Sequence, residues 1–531
     1  MTLGTDSEFG SIPDLIHQHA LNAPQQRALV QGERSLDYAA LDALMDRTAA
    51  ALQRDGIGPG QVIAICAAMS NEYAVVFLGA LRAGVAVAPL APGSGTQSLQ
   101  RMLQDAQARL LFTDAANAES FGATDASAVA RVALDGSPSG RALADWLADA
   151  GVKPAPVALQ GEWPFNIIYS SGTTGEPKGI VQSHTMRWSH VRRGAAFYCG
   201  ADTVTLLSTP LYSNTTLVVF FPTLSVGGTV VLMPKFDALG YLQLAQRERV
   251  THAMLVPVQY QRLLAHPDFD RFDLSSFRVK FSTSAPFPAA LKADTLKRWP
   301  GNLIEYYGMT EGGGTCILDA AAWPDKLHTV GRPAEGHDIR LIDEQGVEVA
   351  TGEIGEVVGH SAGMMTGYHG RPDKTLEAEW FDPQGKRFIR TGDVGRFDAD
   401  GFLTLIDRKK DMLISGGFNV YPSDLEAVLR QHPRVLEASV VGMPSVQWGE
   451  TPVAFVVLNA GPELDADALL QWANTQLGRT QRLSRLHLLP TLPRSAIGKV
   501  LKRELRDANP ESSLRTYMDA SRIARRICVV L

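Results

Sequence analysis

The chain has 531 residues, too many for one compact core. Its composition, 45% hydrophobic, 20% charged and 8% aromatic, excludes a disordered chain, a coiled coil and a collagen. Fifty Lys and Arg against 56 Asp and Glu give a net charge of -6, so no global basic field points to nucleic acid.

The first third alternates helix and strand signals. Ser35 to Gly56 reads as an amphipathic helix with Ser35 as N-cap and Gly56 as C-cap. Gln61–Cys66 reads as a short apolar strand, Asn71–Ala83 as a helix and Val85–Pro89 as a second strand. Strands separated by helices of this length predict βαβ units and parallel sheet buried on both faces. The pattern recurs at Val204–Leu207, Thr229–Leu232 and Val279–Ser282. The most apolar window, Asn214 to Pro234, is interrupted by Gly227-Gly228 and reads as buried helix and strand, so no membrane span is expected.

From Ile339 onward, short strands alternate with Gly, Asp and Pro turns, which predicts a small barrel-like subdomain. After Asp407-Arg408-Lys409-Lys410 a smaller α+β pattern begins. The expected organisation is an α/β protein with two domains. A large N-terminal domain of residues 1–408 has parallel sheets plus the barrel-like part, and a smaller α+β C-terminal domain fills residues 409–531. Between Arg479 and Arg526 there are twelve Lys/Arg and four Asp/Glu, a basic stretch suited to a mobile lid that meets a polyanion. A solvated helix face is the plain alternative.

Cys66, Cys199, Cys316 and Cys528 lie far apart, with no C-x-x-C and no H-E-x-x-H, so neither a disulfide framework nor a zinc site is expected. The N-terminus has acids and no apolar core, so no signal peptide is expected and a cytoplasmic enzyme is the simplest reading. The sequence is silent on oligomeric state, and a homodimer stays open.

The strongest chemical signal is Ser170-Ser171-Gly172-Thr173-Thr174-Gly175-Glu176-Pro177-Lys178-Gly179, which follows the strand Ile167-Ile168-Tyr169. Its glycines let backbone approach a ligand, and its hydroxyls, N–H groups and lysine suit phosphate oxygens. It is not a Walker A loop, which requires G-K-[ST]. The rival is a solvent-exposed turn.

This loop resembles the phosphate loop of the adenylate-forming superfamily, which includes acyl-CoA synthetases, luciferases and adenylation domains. Four further segments match in order: Tyr306-Tyr307-Gly308-Met309-Thr310-Glu311, Arg390-Thr391-Gly392-Asp393, the hinge region Asp407 to Pro422, and Pro493 to Arg503 around Lys499. The resemblance runs from about Ser35 to Arg506 and is closest to an acyl- or aryl-CoA ligase. It implies that a carboxylic acid is activated by ATP as acyl-AMP and then passed to coenzyme A, with Mg2+ assisting. A fatty or aromatic acid is expected. The alternative is a stand-alone enzyme that loads the phosphopantetheine of a carrier protein.

The resemblance also implies roles. Lys499 bridges substrate carboxylate and α-phosphate. Glu311 holds Mg2+, and Thr310 and Thr173 donate to phosphate. The nucleotide is expected on Ser170, Ser171, Gly172, Thr173, Thr174, Gly175 and Lys178, on the Ser284-Ala285-Pro286 loop, on Tyr307 and Gly308, and on Asp393 and Arg408 for the ribose. Lys410 is the hinge. Gly416 and Gly417 leave room for pantetheine, and Trp448 stacks on the CoA adenine; Arg482 and Arg485 are candidates for its phosphates. The acid pocket is expected at Tyr212, Ser213, Asn214, Met309, Gly312 and Gly313. Ser213 stands where relatives often place His or an aromatic, and uncharged Asn214 disfavours an amino-acid substrate. Ser213 and Gly312-Gly313-Gly314 suggest a roomy pocket.

A rival from another class is a serine hydrolase. Gly359-His360-Ser361-Ala362-Gly363 matches the G-x-S-x-G nucleophile elbow, with Asp393 and His432 downstream. The helix that should follow is broken by Gly367, Gly370 and Pro372.

Overall fold

A computed structural model of the chain describes residues 9–121, 129–170, 177–198, 200–409, 411–415, 418–445, 448–462, 464–478, 481–495 and 498–507. The chain divides into two units. The larger comprises residues 1–340, 358–391 and 401–403; the smaller comprises residues 341–357, 392–400 and 404–531.

Two sheets carry the larger unit. One has eight strands and includes Val62–Cys66, Ala86–Pro89, Pro164–Ser170 and Lys178–Ser183. The other has nine and includes Val204–Leu207, Thr229–Leu232, His252–Leu255, Val279–Ser282 and Asn302–Gly308. Neighbouring pairs such as Val62↔Ala86, Val204↔Thr229 and Phe281↔Ile304 run parallel, as apolar runs joined by helices require. The hairpin Pro164–Ser170 with Lys178–Ser183 is antiparallel, with Ser170 opposite Lys178.

Helices Asn71–Arg82, His184–Gly194 and Asn214–Ser225 share one hydrophobic cluster with strands of both sheets. Phe221 meets Phe77 and Phe165 there edge to face, at centroid distances of 5.6 and 4.9 Å, and Phe77 lies tilted against Phe165 at 6.2 Å. The layers are therefore sheet, helices, sheet. The apolar window Asn214 to Pro234 resolves into helix Asn214–Ser225 and strand Thr229–Leu232. No helix among the described residues is long and apolar enough to cross a membrane.

The helix expected to be capped by Ser35 starts later. Ser35 lies in strand Arg34–Asp37, and Asp37 caps helix Tyr38–Arg54 by accepting from the Ala40 N–H at 2.8 Å. The extended Ser35 backbone pairs with Val30, and Asp37 is the better anionic cap for a helix N-terminus.

Beyond Ile339, a five-stranded sheet is formed by Asp338–Ile342, Gly355–His360, Glu379–Phe381, Arg387–Phe397 and Leu403–Arg408. The division between the units passes through these strands. The smaller unit has its own sheet, in which the long strands Val435–Ser445 and Gly449–Leu458 pair antiparallel and Arg485–Leu488 pairs parallel. Helices Pro422–Arg430 and Ala466–Gln476 cover it, with Leu425, Leu429, Leu469 and Ala473 fully buried.

Candidate active site

The hairpin that opens the hydroxyl-rich loop presents Lys178 at its end. Residues 171–176, hence Ser171, Gly172, Thr173, Thr174 and Gly175, lie outside the described residues. The Lys178 ammonium sits 5.2 Å from the ring centre of Tyr368. Tyr368 belongs to the short strand Gly367–Tyr368, which pairs antiparallel with Lys178–Ser183. Its hydroxyl donates to Glu311 Oε1 at 2.9 Å. Burial, then the Glu311 carboxylate, pushes the Tyr368 pKa well up, so the hydroxyl stays a donor. The Met365 N–H donates to the Glu311 carbonyl at 2.8 Å. Glu311 is thus held at its backbone and at one carboxylate oxygen.

Thr310 is fixed from the other side. Gln182 Nε2 donates to its carbonyl at 2.7 Å. The Gln182 Oε1 accepts from Asn166 Nδ2 at 2.9 Å and from the Arg187 guanidinium. Arg187 also donates from Nε to Asn166 Oδ1 at 2.9 Å and from Nη1 to Asn214 Oδ1 at 2.8 Å. Only 1% of Arg187 is exposed, and its partners are uncharged amides and the His190 imidazole, with the faces of Phe165 and Phe221 about 6 Å away. Burial alone lowers its pKa to about 9.

Three segments therefore meet at Thr310-Glu311: the Lys178–Ser183 strand, the His184–Gly194 helix and the Met365–Tyr368 segment. This builds a rigid, partly buried carboxylate beside a lysine at the mouth of a phosphate-type loop.

The Ser284-Ala285-Pro286 loop follows strand Val279–Ser282. Ser284 takes the left-handed conformation, φ +80°, which a non-glycine residue adopts at a cost of about 1–2 kcal/mol. Its hydroxyl lies 2.5 Å from that of Thr215, in the first turn of helix Asn214–Ser225. Tyr307 and Gly308 end strand Asn302–Gly308, with Tyr307 half-buried.

The family-model comparison then decides the class. Residues 16–369 match the model described as AMP-binding enzyme, and residues 424–499 match the AMP-binding enzyme C-terminal domain. The chain belongs to the AMP-binding enzyme family. It is 34% identical over 495 residues to a feruloyl-CoA synthase of Amycolatopsis sp, covering 92% of this chain and 97% of that one. It is 33% identical over 516 residues to an indoleacetate–CoA ligase of Aromatoleum aromaticum, covering 93% and 97%. Among solved structures it resembles the o-succinylbenzoate CoA synthetase of Bacillus subtilis in complex with its acyl-adenylate intermediate. There the TM-score is 0.81 at 26% identity, covering 94% of this chain and 98% of that one.

Other expected residues of this AMP-binding enzyme fall in the smaller unit. Arg408 Nε donates to Asp393 Oδ1 at 3.1 Å, so the two residues expected at the ribose are neighbours. Lys499 is exposed on a tight turn in which Ser495 N donates to the Lys499 carbonyl at 2.8 Å. Arg494 braces that turn through the Gly498 carbonyl at 2.6 Å and through Glu437 at 2.5 Å. Trp448 is 50% exposed at the hairpin joining Val435–Ser445 to Gly449–Leu458, not packed in the domain core. Arg482 and Arg485 are exposed. Lys410, Gly416 and Gly417 lie outside the described residues.

The structure corrects the roomy pocket. A Cβ on Gly312 would stand 1.9 Å from the Gly363 carbonyl oxygen, and one on Gly313 would stand 2.7 Å from Ile389 Cβ. These glycines let two backbones approach; the space of their missing side chains is already filled. Ser213 is buried as the N-cap of helix Asn214–Ser225, accepting from Thr215 N at 3.3 Å, and does not widen a pocket. Asn214 is drawn into the Arg187 network. Tyr212 is half-buried, its pKa pushed up to about 12 by burial and by Cys66, and Met309 packs partly buried near Ile180 and Ile389.

The hydrolase elbow is also absent. Ser361 is 3% exposed, donates to the Gly312 carbonyl at 2.9 Å and accepts from Gly363 N at 3.1 Å. Its hydroxyl serves the same close backbone contact, and no helix follows it.

Sequence reasoning missed Asn166, Gln182, Arg187 and Tyr368. Only Tyr368 carries a signal in the sequence: the segment from Gly355-Glu356 to Gly367-Tyr368 also resembles a stretch of the adenylate-forming superfamily.

Proposed function

We propose that this protein is an AMP-forming acid–CoA ligase that activates a fatty or aromatic carboxylic acid. A carboxylate oxygen attacks the α-phosphorus of ATP, and pyrophosphate leaves. The CoA thiol then attacks the acyl carbonyl, and AMP leaves. The observation that carries this reading is the doubly held Thr310-Glu311 pair, linked through Tyr368 to Lys178. The names of the relatives, a feruloyl-CoA synthase and an indoleacetate–CoA ligase, favour an aromatic acid.

The first step joins two anions, so its barrier is largely electrostatic. Lys178 and Thr310 bind phosphate oxygens in this reading, and Asp393 with Arg408 orients the ribose. Lys499 neutralises the approaching carboxylate. One positive charge at about 4 Å contributes ~4 kcal/mol at an effective dielectric near 20, two to three decades of rate. Glu311 suits Mg2+: one oxygen is committed to Tyr368, the other stays for a hard cation. No cluster of three or more His, Cys, Asp or Glu among the described residues would hold a metal by itself. A nucleotide-borne ion with one protein carboxylate matches that donor set, and it would neutralise phosphate charge.

The domain boundary is proposed after Arg408, with Lys410 as hinge, so that Lys499 serves adenylation and the Gly416-Gly417 loop with Trp448 serves thioester formation. A pyrophosphate-release screen with aliphatic and aromatic acids, with and without CoA, tests the whole reading. Acid-dependent release followed by CoA-dependent thioester is expected. Transfer only to a carrier protein would redirect the second step, and no acid-dependent release would overturn the first.

A further inference from the structure

Helices His184–Gly194 and Asn214–Ser225 enclose a cavity with strands Val279–Ser282 and Asn302–Gly308. His190, Arg193, Tyr198, Val218, Phe281 and Tyr306 line it, and its volume is about 10 Å³, room for roughly one water. Its polar lining is unbalanced. The Arg193 guanidinium lies 5.7 Å from the Tyr306 ring centre, and its Nη1 donates to Thr315 Oγ1 at 3.2 Å. No carboxylate pairs with it among the described residues.

The groups around it are also donors. His190 Nδ1 lies 3.4 Å from Arg187 Nη1; a guanidinium only donates, so Nδ1 accepts and the ring hydrogen sits on Nε2. His337 Nδ1 accepts from Thr315 N at 2.9 Å, which again puts the hydrogen on Nε2. Burial, with Arg193 and its neighbours, holds both imidazoles neutral. The buried Tyr198 hydroxyl has no hydrogen bond of ordinary geometry among the described residues. The nearby Thr223 hydroxyl donates instead to the Val219 carbonyl. His190, Arg193 and Tyr198 line the cavity, and no carboxylate is among its lining residues. A partly buried guanidinium in that state gains most from a planar carboxylate that takes two of its N–H groups.

We propose that the acid substrate carries a second carboxylate at the end remote from the reacting one, and that Arg193 receives it. This rests on the ligase reading and names its substrate class. Tyr306 lines the cavity and Thr310 stands four residues further along the chain, so the Cα atoms of these two residues are at most about 14 Å apart. That span suits an aromatic or medium-chain dicarboxylic acid. The cavity must open on binding.

The test uses matched pairs: benzene-1,4-dicarboxylate against 4-methylbenzoate, 4-carboxycinnamate against 4-methylcinnamate, and octanedioate against octanoate. The measurement is kcat/KM for pyrophosphate release by the full chain. The wild type is expected to favour the diacid at least tenfold in one pair. Arg193→Met is expected to reverse that preference, with activity on the methyl partner showing that it folds, and Arg193→Lys to keep part of it. A wild-type preference for the uncharged partner in all three pairs overturns the proposal while leaving the ligase reading intact. So does an unchanged ratio in Arg193→Met, or in Arg193→Lys and wild type together with no diacid preference. Silence with all six acids, and with the broader acid screen, overturns both.

Discussion

Replacing Arg187 tests whether the Thr310 scaffold is held by charge or by geometry. Its pKa falls from 12.5 to about 9, which at 1.36 kcal/mol per decade sets about 5 kcal/mol against the buried cation. Against this stand its bonds to Asn166, Gln182 and Asn214. In Arg187→Met the penalty disappears with the charge. Two amide oxygens, of Asn166 and Asn214, lose their main donor, while Gln182 Oε1 keeps Asn166 Nδ2. Two orphaned buried acceptors cost about 2–6 kcal/mol together, so against the ~5 kcal/mol removed Arg187→Met falls between about 3 kcal/mol more stable and about 1 kcal/mol less stable than wild type. Arg187→Lys keeps the charge but loses the planar fork, and should destabilise by about 3–5 kcal/mol. Urea unfolding of the full chain, followed by tryptophan fluorescence, gives the order wild type and Arg187→Met above Arg187→Lys. A lysine variant more stable than the methionine variant would refute the argument that geometry outweighs charge here.

Three further outcomes follow from the site and its surroundings. Tyr368→Phe frees one oxygen of Glu311 at a cost of about 1–2 kcal/mol, so adenylation should fall roughly 5- to 30-fold; a rate equal to wild type in pyrophosphate release would remove the clamp. Lys499→Ala should stop acyl-AMP formation but spare conversion of supplied acyl-AMP to thioester, and equal loss of both half-reactions, read by mass spectrometry, would contradict a dedicated adenylation lysine. Glu305, 4% exposed and paired with Lys292, has its pKa raised by burial from 4.5 to about 7. The folded state then binds the extra proton, so its contribution is full below pH 4.5 and is lost as pH rises through 7. Glu305→Gln should flatten that slope in pH-dependent unfolding, and an unchanged slope would place Glu305 outside it.

The parallel core was legible because its strands are short apolar runs between helices, and Val204–Leu207, Thr229–Leu232 and Val279–Ser282 appear with those bounds. The helix His184–Gly194 was not. It reads HTMRWSHVRRG, a polar face fit for solvent, yet Arg187, Trp188 and His190 are buried between the sheets. Polar residues bury when they satisfy one another, and that depends on Asn166, Gln182 and Asn214, which lie elsewhere in the chain. Ser35 misled because a strand of four residues precedes the helix. Gly312-Gly313-Gly314 misled because a missing side chain looks the same in sequence whether it leaves room for a ligand or for another backbone. The motifs pointed to Thr310 and Glu311, but not to the groups that hold them.

Arg187, His190 and Arg193 follow one another at three-residue spacing along one helix, and neither guanidinium pairs with a carboxylate among the described residues. What separates them is the acceptors within reach. Arg187 has three amide oxygens, enough to disperse its charge and lock its geometry. Arg193 has one hydroxyl and one ring face. A partly buried cation so poorly matched is either a destabilising accident or a binding group, and the two differ in one respect. An accident improves when the charge is removed, whatever acid is present. A binding group improves in stability but loses selectivity for the diacid in the same variant. Measuring unfolding and substrate ratio together in Arg193→Met therefore separates the two, because only the second explanation couples them.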